Sequence, residues 1–302
     1  MTDILIIGGG PAGLTAALYA ARAGKSVKVF EKESFGGQIT QAHLVDNFPG
    51  LPGISGMELG DKFCAQAMDA SAEVVFAAVE SLTRNDDGTF HAETEDDPVD
   101  ARAVIFAGGA KPRPLAVERE QELTGQGVSY CALCDGAFFQ GQDVAVIGGG
   151  NTAFSDALVL AETSKSVTLI HRRNGFRAEA TQIQAVEQAE NIRLMVPYTV
   201  AGLKGDDHLD GLVLRHAETG ELTELPINGV FVAMGRVPDC GLIADFADLD
   251  AAGFAACDES CATKTPGLYV AGDCRKKTIR QLTTAVSDGT IAAMAACEYL
   301  NA

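Results

Sequence analysis

The chain has 302 residues, which is about the length of two domains. Its apolar fraction of 47% is that of a globular protein, and no run of 18 apolar residues appears, so neither disorder nor a membrane span is expected. A net charge of −18 argues against nucleic-acid binding, because phosphates need clustered Lys and Arg. Residues 1–3 lead straight into an apolar strand and leave no room for a signal peptide, so we expect a cytoplasmic protein.

The first predicted elements form a βαβ unit around a glycine-rich loop: strand Asp3–Ile7, loop Gly8–Gly13, helix Leu14–Ala23 and strand Ser26–Phe30. In this GxGxxG loop, Gly8 permits a tight turn, Gly10 lets a pyrophosphate approach the backbone, and Gly13 lets the helix pack on the strand. Glu31 follows the second strand, where a carboxylate can accept hydrogen bonds from ribose hydroxyls. The unit predicts a dinucleotide site; a glycine-rich turn without a ligand is the alternative.

Two of the 8 cysteines, Cys131 and Cys134, are three positions apart in a Cys-x-x-Cys pattern. A cytosolic chain is not expected to carry a structural disulfide framework. A zinc site would need a second pair of ligands, which Cys257 and Cys261 could supply only from a different predicted domain. A redox dithiol fits better, because two such thiols close a short loop that opens and reforms readily. A coincidental spacing is the third interpretation.

Asp135 directly follows the second of these cysteines. An ionised carboxylate beside a thiol disfavours the thiolate. A carboxyl group that exchanges a proton can donate to a departing thiolate or accept from an attacking thiol. A helix cap is the alternative role of Asp135, and both roles can coexist.

The βαβ pattern recurs further along the chain: strand Asp143–Ile147, loop Gly148–Ala153, helix Phe154–Glu162 and strand Ser166–Ile170. The spacing that separates Gly8 from Glu31 also separates Gly148 from His171. Basic residues therefore stand where the first unit has a carboxylate: His171, Arg172 and Arg173, with Arg177 nearby. Basic side chains at this place favour a ribose 2′-phosphate, so the second site predicts NADP and the first a dinucleotide without that phosphate. A solvated basic cluster is the alternative.

Two proline-bearing segments, Lys111–Pro114 and Gly235–Pro238, flank the second unit. The prolines predict extended, unpaired backbone, as in a linker. The stretch Gly267–Asp273 then predicts a buried strand that ends in a Gly-Asp turn and returns to the first sheet. The second domain is therefore expected to be inserted into the first.

Taken in order, these motifs resemble the low-molecular-weight thioredoxin reductases of bacteria. The motifs that carry the resemblance span the whole chain: Gly8–Gly13, Gly36–Gln38, Asn47–Gly50, Cys131–Gly136, Gly148–Ala153, His171–Arg173 with Arg177, Ala271–Asp273 and Arg280–Gln281. Several motifs in order are far more specific than any one of them alone.

The resemblance implies an α/β fold of two Rossmann-like dinucleotide-binding domains, each a three-layer ββα arrangement. An FAD domain of residues 1–112 and 239–302 would hold an inserted NADPH domain, residues 115–236, with the Cys-x-x-Cys pair. The resemblance also implies a homodimer, FAD and NADPH as cofactors, no metal, and thioredoxin or a thioredoxin-like protein as partner.

The cofactor-binding residues that the loops and the resemblance indicate fall into two groups. Those expected for FAD are Gly8, Gly10, Pro11, Ala12, Gly13, Glu31, Lys32, Gly36, Gly37, Gln38, Asn47, Gly109, Gly272, Asp273, Arg280, Gln281 and Leu282. Those expected for NADPH are Gly148, Gly150, Asn151, Thr152, Ala153, His171, Arg172, Arg173, Arg177 and Gly235. The resemblance implies that Asp273 holds the ribitol chain and that residues 280–282 lie beside the isoalloxazine.

By the same resemblance, Cys134 faces the flavin, Cys131 attacks the disulfide of thioredoxin, and Asp135 is the acid/base residue. Phe138 and Phe139 match an aromatic pair that helps to dock thioredoxin, although plain core packing explains them equally well.

The chain departs from the family pattern in three places. Gln126 stands where a basic residue often helps thioredoxin docking, which puts the partner in doubt. Ser155 and Asp156 replace a pair of glutamates, which puts details of nicotinamide placement in doubt. Ala107–Gly109 lacks a threonine that often precedes the last glycine, a mild change.

The sequence favours an FAD-dependent thioredoxin-disulfide reductase that uses NADPH. One alternative keeps the flavin and the dithiol but takes electrons from ferredoxin or NADH, or serves another small redox partner. Another is a flavin-binding sensor of NADPH without turnover. A hydroperoxide-type reductase would carry an added N-terminal thioredoxin-like domain, which we do not expect here.

Overall fold

The computed structural model describes residues 1–42 and 44–302. These residues form two compact units, one made of Met1–Lys111 with Val237–Ala302 and the other of Pro112–Arg236. The second unit is thus inserted, in sequence, into the first. In the described part of the chain, no helix is both long and apolar enough to cross a lipid bilayer.

Helices and strands alternate through most of the chain. The α-helices in chain order are α1 (Pro11–Arg22), α2 (Gly56–Asp69), α3 (Glu120–Leu123), α4 (Ala132–Asp135), α5 (Asn151–Ala161), α6 (Ala180–Gln188) and α7 (Leu282–Asn301). The strands up to the end of the second unit are β1 (Thr2–Ile7), β2 (Val27–Glu31), β3 (Glu73–Phe76), β4 (Val79–Arg84), β5 (Phe90–Thr94), β6 (Val99–Phe106), β7 (Ala110–Pro112), β8 (Val128–Ser129), β9 (Asp143–Ile147), β10 (Ser166–Ile170), β11 (Ile192–Met195), β12 (Tyr198–Lys204), β13 (Gly211–His216), β14 (Leu222–Pro226) and β15 (Gly229–Val232). The remaining strands are β16 (Arg236–Pro238), β17 (Asp248–Leu249), β18 (Ala255–Ala256) and β19 (Leu268–Val270). Short 3₁₀ turns cover Gly37–Gln41, Gly136–Phe139, Gly241–Ile243 and Gly272–Cys274.

The main sheet of the first unit has the strand order β3-β2-β1-β6-β5-β4, with β19 also paired to β6. The β1, β2, β3, β6 and β19 pairings are parallel, and β4 and β5 run antiparallel to their neighbours. Strand β1 lies in the middle of this order, and its residues 4–7 are all apolar because both faces of the sheet are covered. Ile4 and Ile6 enter a core with α1 and α7, and Leu5 and Ile7 enter the core on the opposite face.

The second unit is built around a parallel sheet of order β11-β10-β9-β15-β8. On one face, Val144 and Val146 of β9 pack with Phe154 of α5. On the other face, Ile147 packs with Leu212 of β13, which belongs to the antiparallel sheet β12-β13-β14. Helices, parallel sheet and antiparallel sheet therefore form three layers, and the predicted α/β fold with two dinucleotide-binding sheets is confirmed.

The predicted βαβ units form at both loops, but their helices begin earlier than expected. Helix α1 begins at Pro11 instead of Leu14, and α5 begins at Asn151 instead of Phe154. Proline is compatible with a first helical turn because it has no N–H to satisfy there and its φ is already helical. The last residues of each glycine-rich loop are thus the first turn of its helix.

The two segments that connect the units do not have the unpaired backbone that was predicted. Strand β7 pairs with β16 as a two-stranded ribbon, and the Arg113 N–H donates to the Gly235 carbonyl at 2.9 Å. Prolines remove donors but keep their carbonyl acceptors, and the residues between them still pair. The predicted return to the first sheet is confirmed, since β19 pairs with β6.

Candidate functional site

The first glycine-rich loop leaves no room for side chains where β1 meets α1. The Gly8 N–H donates to the Phe30 carbonyl at 2.8 Å, and the φ of Gly8 is +109°. A Cβ atom on Gly8 would overlap the Ala107 carbonyl, and one on Gly13 would overlap the Gly8 carbonyl. The helix start therefore lies directly on the end of β1.

Gly10, which precedes the first residue of α1, faces open space instead. The nearest atom to a Cβ built there is the Gly37 Cα, at 4.0 Å. The first N–H groups of a helix have no partner within the helix, and the helix dipole makes this end positive. Open space in front of such an end fits a pyrophosphate, so these residues fit the dinucleotide that the sequence predicts.

Glu31, at the end of β2, is a buried carboxylate that contacts the loop itself. Its Oε2 accepts from the Gly9 N–H at 2.6 Å, and its Oε1 accepts from the Glu33 N–H at 2.7 Å. A Cβ on Gly9 would lie 2.8 Å from the Glu31 Cβ, so only glycine lets the carboxylate approach this closely. Each oxygen keeps a second lone pair, and the predicted role toward a ribose is compatible with these bonds.

The second loop repeats this geometry with different side chains. The Gly148 N–H donates to the Ile170 carbonyl at 3.0 Å, and a Cβ on Gly148 would crowd the Ala233 carbonyl at 2.5 Å. The ring of His171 lies against Gly149, where a Cβ would overlap it. His171 therefore occupies the place that Glu31 has in the first loop, as the sequence register predicts.

The structure brings the four predicted basic residues of this loop together. The Arg177 N–H donates to the Gly149 carbonyl at 2.7 Å, just as the Gly36 N–H donates to the Gly9 carbonyl at 2.8 Å. Burial lowers the pKa of His171, and the positive charges of the three nearby arginines lower it further. The three arginine side chains are exposed, and their positive charges combine into one local electrostatic field. Such a field attracts an anion. These residues fit a 2′-phosphate.

A contact that the sequence did not indicate ties this basic segment to the loop. The Glu179 N–H donates to Asn151 Oδ1 at 2.9 Å, and Asn151 Nδ2 donates to Glu179 Oε1 at 3.2 Å. Because Asn151 and Glu179 lie 28 positions apart in the sequence, no local pattern predicts this pair of hydrogen bonds. The reciprocal bonds hold the first turn of α5 beside the segment that carries the arginines.

The other residues predicted to bind cofactors lie at loop ends and helix starts. In the first unit, Pro11 and Ala12 begin α1, Leu282 begins α7, Gly109 lies between β6 and β7, and Lys32 pairs with Asp239 at 3.2 Å. In the second unit, Gly150 precedes α5, Thr152 and Ala153 lie in its first turn, and Gly235 precedes β16.

Asp288 of α7 is a buried carboxylate that organises the predicted Gly-Asp turn. It accepts from the Gly272 N–H at 3.0 Å, from Arg275 Nη1 at 2.5 Å and from Lys277 Nζ at 2.8 Å. All three charged side chains are at most 15% exposed. Lys277 Nζ also lies 3.7 Å from Asp273 Oδ1. The sequence alone did not indicate this cluster; the one signal for it is an aspartate in a helix of mostly small and apolar residues.

Arg280 and Gln281 hold loops of the first unit in place. Arg280 donates to the Asp273 carbonyl at 3.1 Å, and its guanidinium lies 4.0 Å from the centre of the Phe254 ring. Gln281 accepts from Asn47 Nδ2 at 3.5 Å and caps α7. Gln38 Nε2 donates to the Ala110 carbonyl at 2.8 Å.

Cys131 and Cys134 form a disulfide around the short helix α4, with their Cα atoms 5.3 Å apart. The Cys131 sulfur accepts from the Cys134 N–H at 3.2 Å, so Cys131 is the N-cap of this helix. Cys131 is half-buried and Cys134 is exposed. The predicted redox pair is therefore present as a disulfide.

Asp135 is half-buried at the end of α4 and does not cap the 3₁₀ turn that follows. Its Oδ2 accepts from the Ser129 hydroxyl at 2.6 Å. Burial raises the pKa of Asp135, and the Ser129 hydrogen bond opposes part of that rise. The capping alternative for Asp135 is not observed, and its environment favours a carboxyl that exchanges a proton closer to neutral pH.

The two predicted docking phenylalanines have different surroundings. Phe139 packs edge-on against Phe231, with ring centres 5.3 Å apart. Phe138 is 45% exposed, and Leu133, inside the Cys-x-x-Cys segment, is 61% exposed. Core packing therefore explains Phe139, and the exposed apolar surface beside the disulfide consists of Phe138 and Leu133.

The cysteines outside the disulfide are free thiols. The zinc alternative needs Cys257 as a ligand, but its sulfur accepts from Arg275 Nε at 3.0 Å. Within residues 1–42 and 44–302, no three His, Cys, Asp or Glu side chains are grouped as metal ligands would be.

A protein-family model described as pyridine nucleotide-disulphide oxidoreductase matches residues 2–289. A thioredoxin reductase of Streptomyces coelicolor is 41% identical over 303 residues, which cover 99% of this chain and 94% of that protein. A 34.2 kDa protein in the rubredoxin operon of Clostridium pasteurianum is 39% identical over 299 residues, covering 99% and 97%. The crystal structure of a thioredoxin reductase from Streptococcus pyogenes is 38% identical, with a TM-score of 0.94 and coverage of 100% and 98%.

Asp288→Asn should lower the free energy of unfolding by about 3 kcal/mol, because it removes the negative charge that the shielded cations Arg275 and Lys277 share. Urea unfolding checks this value. Asp248→Asn is the matched control, since Asp248 pairs with Lys264 at 2.9 Å on the surface and should cost less than about 1 kcal/mol. Equal costs for the two variants would contradict the role given to Asp288.

Proposed function

Because the chain belongs to the thioredoxin reductase family of pyridine nucleotide-disulphide oxidoreductases, we propose that it reduces the disulfide of thioredoxin with electrons from NADPH. Members of this family bind FAD and a nicotinamide dinucleotide, and the chain is a flavoprotein oxidoreductase with a redox disulfide. The observation that carries the finer proposal is the Cys131–Cys134 disulfide beside Asp135, in the unit that also carries the arginine cluster.

We assign FAD to residues 1–112 and 239–302. The open space at Gly10 and the carboxylate of Glu31 beside Gly9 support this assignment. When bound, FAD takes up two electrons from NADPH and makes them available for the reduction of a disulfide. Asp288, through Gly272 and Arg275, would hold the turn of Asp273 in place for the ribitol chain.

We assign NADPH to residues 115–236. The supporting difference between the two loops is one of charge, since His171 lies where the first loop has Glu31. A carboxylate at this place would repel a 2′-phosphate, whereas guanidinium groups bind phosphate through paired N–H donors. Arg172, Arg173 and Arg177 supply those donors, which favours NADPH over NADH as the electron source.

The proposed exchange begins when two electrons and two protons convert the disulfide into two thiols. The Cys131 thiolate attacks one partner sulfur, a mixed disulfide forms, and the partner's S–S bond breaks to release a thiolate that takes up a proton. The Cys134 thiolate then attacks Cys131 Sγ, which restores the enzyme disulfide and releases the partner's second sulfur, which also becomes a thiol. Cys131 suits the attacking role because its sulfur has an N–H donor that also stabilises a thiolate.

Asp135 is the proposed proton carrier of this exchange. The raised pKa of its carboxyl brings proton uptake and release closer to neutral pH, where general acids and bases work best. It would accept the proton of the attacking thiol and return it to the departing sulfur.

The partner and the oligomeric state rest on the family. Thioredoxin is the substrate that the relatives' names indicate. The exposed side chains of Leu133 and Phe138 supply an apolar surface beside the disulfide where such a protein could dock. The homodimer that the resemblance implies remains part of the proposal.

The double variant Arg172→Ala/Arg173→Ala should raise KM for NADPH by about 100-fold or more, because each arginine contributes a charge-assisted bond of about 1.5–3 kcal/mol. KM for NADH should change little, since NADH has no 2′-phosphate. Steady-state kinetics with NADPH, NADH and reduced ferredoxin measure this preference. Arg215→Ala, at an exposed arginine of β13, is the control. A similar rise of KM for both nicotinamides would sink the 2′-phosphate assignment.

Asp135→Asn should lower turnover by about 100-fold without lowering stability at pH 7. Because the pKa of Asp135 is higher in the folded state than in the unfolded state, the free energy of unfolding falls as pH rises from the unfolded to the folded pKa. The charged carboxylate therefore destabilises the fold, and replacing it with a neutral amide does not cost stability at pH 7. Turnover assays and urea unfolding at pH 7 test both parts. Asp143→Asn is the control, because its paired carboxyl has a lowered pKa: it should lose a little stability and keep full turnover. Full turnover of Asp135→Asn would refute the proton-carrier role.

Cys134→Ser should accumulate a covalent complex between Cys131 and thioredoxin, because the thiol that resolves the mixed disulfide is gone. Non-reducing electrophoresis and peptide mass spectrometry identify the linked cysteine. Cys131→Ser is the matched control and should trap no partner. Trapping on Cys134 instead would reverse the two roles.

A further inference from the structure

Ser129 is a buried residue two positions before Cys131. It ends β8, which pairs in parallel with β15 in the register Ser129↔Phe231. Its side chain cannot turn toward water, because the residue is only 5% exposed. A buried hydroxyl keeps its partners, since losing one leaves a polar group unsatisfied.

The hydroxyl of Ser129 contacts both parts of the exchange site. It donates to Asp135 Oδ2 at 2.6 Å and accepts from the Cys131 N–H at 3.1 Å. The Cys131 carbonyl lies 3.4 Å from the same oxygen. The hydroxyl has only one proton to donate, and the Asp135 carboxylate is the nearer acceptor. One atom therefore links the proton carrier to the backbone of the attacking cysteine.

We propose that Ser129 is a positioning residue for disulfide exchange, which holds the Asp135 carboxyl at a set distance from Cys131. This inference rests on the proposed function of the same site. Asp135 takes the proton of the Cys131 thiol and passes it to the departing sulfur. Ser129 itself neither gains nor loses a proton or an electron. Its hydroxyl stays a donor when the carboxyl is ionised, which is the state that accepts the proton.

The charged and titratable groups around Asp135 determine the controls. Helix α4 packs against α5, which carries Asp156 and is followed directly by Glu162. Burial raises the pKa of Asp156 to about 6, so its titration could overlap with that of Asp135. Tyr130 donates to Glu120 at 2.6 Å, and its pKa is raised far above the working range by burial.

The test follows the inflection that Asp135 causes in two pH profiles. The first profile is turnover of the FAD-loaded protein with NADPH and a bacterial thioredoxin, with 5,5′-dithiobis(2-nitrobenzoate) reporting the reduced thioredoxin. The second is the rate at which iodoacetamide alkylates Cys131 in the Cys134→Ser background, quantified by peptide mass spectrometry. The inflection that disappears in Asp135→Asn and persists in Asp156→Asn is the one that belongs to Asp135.

Ser129→Ala should move this inflection to higher pH by about one unit in both profiles, because the ionised carboxyl loses its donor. Ser129→Thr, which keeps the hydroxyl, should leave it unchanged. Ser129→Val is nearly isosteric with Ser129→Thr and lacks the hydroxyl, so it should repeat the shift. This pair keeps the test decisive if the alanine variant does not fold.

Ser166→Ala is the matched control. Ser166 donates to Asp143 Oδ1 at 2.6 Å, the same kind of bond in the same unit, and its loss should not move the inflection. An unchanged inflection in Ser129→Ala and Ser129→Val, or an equal shift in Ser166→Ala, would overturn the inference. Alkylation needs neither NADPH nor a partner. A wild-type protein without turnover would thus defeat the proposed function, while the alkylation profile would still decide the role of Ser129.

Discussion

The close approach of a strand end and a helix start is the constraint on which both units depend. At Gly8 and Gly148 there is no room for a Cβ atom beside the neighbouring carbonyl. This contact places the first N–H groups of α1 and α5 in front of open space at Gly10 and Gly150, where nothing approaches a built Cβ closer than 4.0 Å. Two candidate anion sites of the same design follow from one backbone arrangement used twice.

Because the backbone is the same, the two loops differ mainly in the side chain at the end of the second strand of each unit. Glu31 lies against Gly9 and His171 lies against Gly149. The carboxylate uses its oxygens on loop N–H groups, whereas the imidazole sits among arginine charges that lower its pKa. In the proposed assignment, the two dinucleotides are thereby distinguished by charge and not by a different fold.

Two aspartates, Asp288 and Asp135, show how the tertiary surroundings of a carboxyl group change its electrostatic properties. Asp288 is matched by Arg275 and Lys277 and serves to hold a turn. Asp135 is half-buried, and the hydroxyl of Ser129 supplies a much weaker partner, so burial raises its pKa. A carboxylate that is paired with cations stays ionised and serves a structural role. A carboxyl group whose desolvation is only partly offset by a hydrogen bond has a raised pKa and can exchange protons.

The sequence by itself determined both βαβ units, the register that places His171 opposite Glu31, and the cysteine pair, because glycine spacing and apolar runs are local properties. It did not indicate the pairing of β7 with β16, since the prolines in both segments lack an N–H donor and therefore predicted unpaired backbone. It also could not tell that Phe139 is core and Phe138 is surface. Only the tertiary structure decided the partners of Asp288 and the link from Ser129 to Asp135, because these contacts depend on how separate elements pack and on the burial that results.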